Sequence, residues 1–389
     1  MAPKKSNTSV AKSTIKSNTP AAKPRATSLI LISLLSISVG IFVHSRTLHF
    51  PRYKNAEYLM TANVAKLRSE LGLPKSWPGT TIFDQYGGEA WRFLLVLVNF
   101  FKDAIGEKLG QSILLLITSV LGPVVLFFTT ESLKDGRHPL ISPGFLIFVL
   151  SLGQLILVAA ASSIVLVPAY AYTRWQEASS LVHPLPTPNA WKIVLGSICN
   201  IAALLIIFLT TFTPPGTIAF THANILFQFF PIVLVPLLFV PRSKTVVSTA
   251  GSASARESPR LLAASNYQLL SFMVIPIYWL GLYWGGKPLF HAIIHDLDFK
   301  SDGPYLLFWD LIGVLSATYA IVQIDAIVDG AKVKQGGERI HSRRLFLEDA
   351  VLGLPIVALL GPGWAISRYF QRREILAEKV RFGATAKED

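Results

Sequence analysis

Apolar positions in this chain fall into long unbroken runs, not into the alternating or striped patterns of soluble elements. The first run covers 27–43, and others follow at 111–130, 143–172, 190–212, 223–241, 266–285, 304–328 and 350–367. A helix needs about 20 mostly apolar residues to cross a bilayer. Hydrocarbon offers backbone groups no partners, so each run should be a helix. The pattern predicts an all-α, polytopic transmembrane helix bundle of about eight spans.

Between the first two runs lies a hydrophilic stretch, 44–110. Inside it Ala56, Leu59, Met60, Val64, Leu67 and Leu71 recur at helical spacing, which predicts a helix on the membrane surface. The patch 91–101 is apolar but too short to span, and is read as interfacial or re-entrant. The expected organisation is a disordered basic tail at 1–26, a first span at 27–43, the loop 44–110, a seven-helix bundle at 111–367, and a basic C-terminal tail at 368–389. Prolines at 123, 168, 231, 236, 276 and 355 fall inside the runs, where each removes a hydrogen bond and favours a kink. No internal repeat is visible, which weakens a reading as a repeat-built transporter.

Composition supports the membrane reading. Hydrophobic residues make up 51% of the 389-residue chain and charged ones 15%, against about a quarter in soluble domains. The net charge is +13, with the excess in the tails and a few loops. Charges that flank apolar spans point to anionic lipid headgroups, not to nucleic acid. The single cysteine, Cys199, excludes an internal disulfide framework. The first 25 residues hold six Lys or Arg, from Lys4 to Arg25, and no acid. They suit a basic tail better than an organellar transit peptide, and no cleavable leader is expected.

Orientation is contradictory at this level. Basic tails on one side agree with a cytosolic N-terminus. Eight spans would, however, put the basic stretches around Arg242–Arg260 and Lys332–Arg344 on the other side.

Few ionisable groups lie within the apolar runs, and each costs roughly 2.5–3.5 kcal/mol to place there. Asp310 is the clearest, after Phe308 and Trp309 in the seventh run. Apolar surroundings disfavour its charged form, so such a carboxyl can act as an acid. A helix N-terminal turn or the headgroup level would equally accommodate it as a carboxylate. Glu131 closes the second run and either faces the bundle or pairs with Lys134 or Arg137. Asp325 lies fifteen residues beyond Asp310, roughly 22 Å along a helix, so the two cannot form one catalytic pair. With Asp329 it is expected at the far interface. His291 and His295 have metal-ligand spacing, but the remaining histidines are scattered, so no metal and no cofactor is expected. Tyr278, Trp279, Tyr283 and Trp284, with Tyr170, Tyr172 and Trp175, could form cation-stabilising walls or an interfacial aromatic belt. No Walker loop, dinucleotide fingerprint, nucleophile elbow or paired-aspartate diphosphate motif is present.

Several stretches between Thr130 and Leu360 carry a resemblance. Thr130-Glu131-Ser132 with Gly136-Arg137-His138-Pro139, the Pro168-Ala-Tyr-Ala-Tyr172 segment and Phe308-Trp309-Asp310 resemble the fungal integral-membrane terpene cyclases of meroterpenoid biosynthesis, of the ascofuranone and macrophorin type. The resemblance implies a metal-independent, non-ionising cyclisation. An acid protonates a terminal epoxide or olefin on a farnesylated aromatic or polyketide ring. It implies Asp310 and Glu131 as candidate acids and Tyr278, Trp279 and Tyr172 as cation-facing residues. It also implies a hydrophobic prenylated substrate, neighbouring pathway enzymes as partners, and the endoplasmic reticulum membrane. The alternative is a non-enzymatic carrier or lipid-handling protein.

Overall fold

The computed structural model describes residues 26–48, 61–73, 86–134, 137–179, 190–241, 259–295, 297, 299, 301–332 and 354–385. The stretch 1–25 and the basic segments 242–258 and 333–353 lie outside the described residues, as do Ala56, Leu59, Met60 and the side chain of Asp329. The described residues are mostly helical, with no strand among them, so the expected all-α polytopic bundle is what the chain forms. Five helices are long and apolar enough to cross a membrane, and a bent pair makes six.

The centre of the bundle is α4, Lys108–Ser132, after α1 (Ala26–Leu48), α2 (Val64–Glu70) and α3 (Gly88–Ala104). Every residue of α4 from Gly110 to Ser132 is buried, which is the environment a helix apolar on all sides requires. Ser112 donates to the carbonyl of Gly281 at 2.6 Å, bringing α4 against α10 (Pro259–Ile294). At the other end of α4, Phe127 stacks on Phe370 at 4.0 Å, and Gly363 lies against Ser119. These contacts seat α13, Pro362–Thr385, beside the second half of α4.

Two of the expected spans are not crossings. The run 143–172 is a hairpin. Helix α5, Pro143–Ile156, ends at Leu157, whose φ of 78° breaks the helix. The chain then turns back through α6 (Val158–Ala161), a π turn (Ser162–Leu166) and α7 (Val167–Ser179). Gly153 lies against Val158 across the turn, and His138, just before α5, reaches the Tyr172 ring at 5.7 Å. Both feet of the hairpin therefore stand on one face. With 14 residues, α5 rises about 21 Å, short of a bilayer core of about 30 Å. The run 350–367 is likewise no single span. It consists of α12, Leu354–Leu360, a bend at Gly361 (φ 89°), and the start of α13 beside the middle of α4.

The remaining crossings are α8 (Ala190–Phe212), the pair formed by α9 (Ile218–Gln228) and a 3-10 segment (Phe230–Phe239) bent by 42°, α10, and α11 (Asp302–Lys332). The expected span 223–241 is thus broken near Phe229, seven residues before Pro236. The C-terminal stretch from 368 is no free tail: α13 continues to Thr385 and buries Glu374 and Glu378.

The candidate crossings sort the described helix ends between two faces. Six crossings and one hairpin put the start of α1, the feet of α5 and α7, the start of α8, the end of the 3-10 segment, the start of α10 and the ends of α11 and α13 on one face.

Within 44–110, α2 and α3 pack on each other at the opposite face, with Leu67, Leu71, Leu95 and Val98 fully buried. Asn63 caps α2 by accepting from the amide of Lys66. The patch 91–101 lies in α3, whose Phe100 and Phe101 also pack against the main core.

Candidate functional site

Asp310 sits in the third turn of α11 and is 7% exposed. Its Oδ1 accepts from the amide of Ala159 at 2.7 Å. That amide is available because the helix restarts at Val158 after the Leu157 break, leaving first-turn N–H groups without intrahelical partners. Asp310 thus caps the tip of the hairpin from another helix. Asp310 lies beyond the N-terminal turn of its own helix and meets the start of a different one.

The tip opens onto a cavity of about 350 Å³ that Asp310 lines. This lies within the usual size range of ligand pockets. Its walls come from α3, the first half of α4, the hairpin tip, α8, the α9 bend and the start of α11. Two points of irregular backbone, at Leu157 and around Phe229, border it. Irregular backbone at membrane depth is tolerated where it is enclosed by protein or lines a cavity. The side chains are almost all apolar, and five phenylalanines stand among them: Phe93, Phe100, Phe101, Phe227 and Phe230. Phe101 and Phe227 meet edge to face at 5.1 Å. Phe93 and Leu155 are also exposed on the outer surface, which places a mouth between α3 and α5.

The other expected site residues lie elsewhere. Glu131 is fully buried, but in an ionic cluster at the opposite end of α4. Ten residues, about 15 Å of helix, separate it from Leu121, the nearest residue of α4 that lines the cavity. It pairs with Arg137, with Lys134 at 2.6 Å and with Arg373 at 2.7 Å. Arg373 also reaches Asp325 at 3.0 Å, and Asp325 pairs with Arg174 at 3.0 Å and accepts from the Tyr170 hydroxyl. Lys134 and Arg260 hold Glu374 at 2.6 and 3.1 Å. Asp325 is therefore buried in this cluster and not set at a bare interface.

The three proposed cation-facing residues do not line the cavity. The Tyr278 hydroxyl donates to the carbonyl of Ala358 at 3.0 Å, fastening α12 to α10. Trp279 is 45% exposed and Tyr283 85%, both on the outer surface as an interfacial belt would be. Tyr172 is 45% exposed and accepts from Gln176 at 2.5 Å. The His291 and His295 rings lie 4.2 Å apart, but no group of three or more potential metal-ligating side chains occurs among the described residues.

What sequence reasoning missed is the aromatic lining. Phe93, Phe100 and Phe101 lie in the interfacial patch, and Phe227 and Phe230 flank a helix bend. The one available signal was the phenylalanine density at those two places.

Comparison with protein-family models, curated proteins and solved structures finds no match to this chain.

Proposed function

We propose that the chain is a membrane-bound terpene cyclase of the endoplasmic reticulum, acting on a farnesylated aromatic or polyketide intermediate, with Asp310 as its general acid. The observation that carries this reading is a single carboxyl group bordering a largely apolar, phenylalanine-walled cavity.

The hydrogen bond from Ala159 engages Oδ1, which leaves Oδ2 to carry the acid proton. Protonation of a terminal epoxide or olefin moves that proton to the substrate. The π electrons of the neighbouring double bond then close a ring onto the cationic carbon, and the last cation returns a proton to the Asp310 carboxylate, which restores the neutral acid. The phenylalanine faces stabilise positive charge as it migrates, each by about 0.5–2 kcal/mol. A dry cavity keeps water from trapping the cation early. Positioned general-acid catalysis contributes roughly 10²–10⁴-fold in rate. Glu131 belongs to a separate network and has no part in this chemistry.

The test is product formation. Microsomes containing the protein are incubated with a panel of farnesylated phenols and their terminal epoxides, and products are resolved by mass spectrometry. A cyclised product that depends on Asp310 supports the reading. Saturable binding of the panel with no covalent product favours a carrier.

A further inference from the structure

The apolar lining of the cavity is interrupted by three polar side chains: Thr118, Gln154 and Asp310. Thr118 donates its hydroxyl proton to the carbonyl of Leu114 at 2.7 Å and is buried in its own helix. Asp310 binds the hairpin tip through one oxygen. Gln154 is different. It lies in the last turn of α5, is half-buried, and receives no hydrogen bond from the described residues. Its amide is accessible from the cavity and makes no hydrogen bond to the described residues, so it is open to a ligand oxygen. No Lys, Arg or His lines the cavity.

We propose that Gln154 is a specificity-determining residue that hydrogen-bonds an uncharged oxygen function of the ligand, so that the cavity selects neutral, oxygen-bearing prenyl amphiphiles over hydrocarbons and over phosphorylated prenyl lipids. The inference takes the prenyl class of ligand from the proposed function, but does not depend on any chemistry occurring in the cavity. An amide both donates and accepts, so it suits a hydroxyl, a carbonyl or an ether oxygen. A diphosphate entering the same space meets one carboxyl and no cation, and loses its hydration without compensation. A hydrocarbon leaves the amide unpaired. Sites built around a hydrogen bond reject analogues that lack it.

The experiment is equilibrium binding to the purified full chain in lipid nanodiscs, with farnesol, farnesene and farnesyl diphosphate as probes. Farnesol is expected to bind about tenfold more tightly than farnesene, and farnesyl diphosphate no better than farnesene. Gln154→Met keeps the side-chain volume and removes the amide. It should erase the preference for farnesol while farnesene affinity stays within about twofold, which also reports that the variant is folded. A preference for farnesol that survives in Gln154→Met, or tightest binding of the diphosphate, overturns the proposal. If no probe binds, the cavity is not a ligand site and the inference falls with it. If farnesol is preferred through Gln154 but no farnesylated compound is ever turned over, the cyclase reading fails and the role of Gln154 stands.

Discussion

Asp310 Oδ1 lies 2.7 Å from the amide nitrogen of Ala159, a residue 151 positions earlier in the chain. This bond ties the third turn of α11 to the tip of a helical hairpin that enters and leaves by the same face. It gives Asp310 two roles at once, as the cap of a broken helix and as the polar group of an apolar cavity. The roles can be separated by substitution.

Asp310→Asn keeps an oxygen that can accept from Ala159 but removes the acid proton. Its melting temperature in detergent should stay close to the parent, since the capping bond survives, while product formation falls by at least about 100-fold. Asp310→Leu loses both and leaves a buried amide without a partner, at a cost of about 1–3 kcal/mol. Thermal melts and mass-spectrometric product assays on the same preparations distinguish the two. Full turnover by Asp310→Asn would remove Asp310 as the acid.

Glu131→Gln should show the opposite pattern. It removes one carboxylate from a buried group in which Lys134, Arg137 and Arg373 all converge on it. Breaking a buried ion pair from one side costs about 3–5 kcal/mol, because the abandoned cations stay buried. The variant should melt well below the parent, yet retain turnover per folded molecule below its melting transition. A variant that melts normally but fails in catalysis would return Glu131 to the active site.

The sequence predicted the membrane bundle because runs of apolar residues are a property of each segment alone. Whether a run crosses or turns back depends on one backbone position. Leu157 carries φ of 78° with no glycine to announce it, so 143–172 read as one long span. Asp310 was found because a lone carboxylate in an apolar run is conspicuous. Glu131 was equally conspicuous, and its pairing with the adjacent Lys134 and Arg137 was readable. Its pairing with Arg373, 242 positions away, was not, because α13 looked like a free basic tail. The tyrosine and tryptophan cluster stays ambiguous in sequence for a similar reason: periodicity puts residues on a helix face but does not say whether that face meets a cavity or lipid.

Glu374 gives the ionic cluster a defined acid limit. Burial by itself would raise its pKa, but Lys134, Arg260 and Arg373 outweigh that and hold it at about 2, below the ordinary 4.5. The unfolded chain therefore binds the proton first as pH falls. The stability contributed by Glu374 is complete above about 4.5 and is lost between 4.5 and 2. The separation corresponds to about 3 kcal/mol. Melting temperatures measured from pH 6 to pH 2 should fall steeply in the parent below 4.5 and more gently in Glu374→Gln, which starts lower at pH 6. Parallel curves for the two proteins would show that Glu374 does not titrate with folding.

The hairpin fixes which segments share a side, and labelling can read this directly. If 143–172 crossed the membrane, the stretches 242–258 and 333–353 would lie opposite the N-terminal stretch. As a hairpin it leaves all three on one side, where their lysines and arginines accumulate. Orientation follows the Lys/Arg bias of short flanking segments, so that side is expected to be the cytosolic one. In a Cys199→Ser background, single cysteines introduced by Ser17→Cys, Ser248→Cys and Ser342→Cys should react with a membrane-impermeant maleimide in sealed microsomes whose cytosolic face is outward. Ser76→Cys, between α2 and α3, should react only after the membrane is permeabilised. Labelling of position 17 together with protection of 248 and 342 would mean that the hairpin crosses after all. The tip carrying Ala159 could then not return α7 to the face where Arg174 meets Asp325.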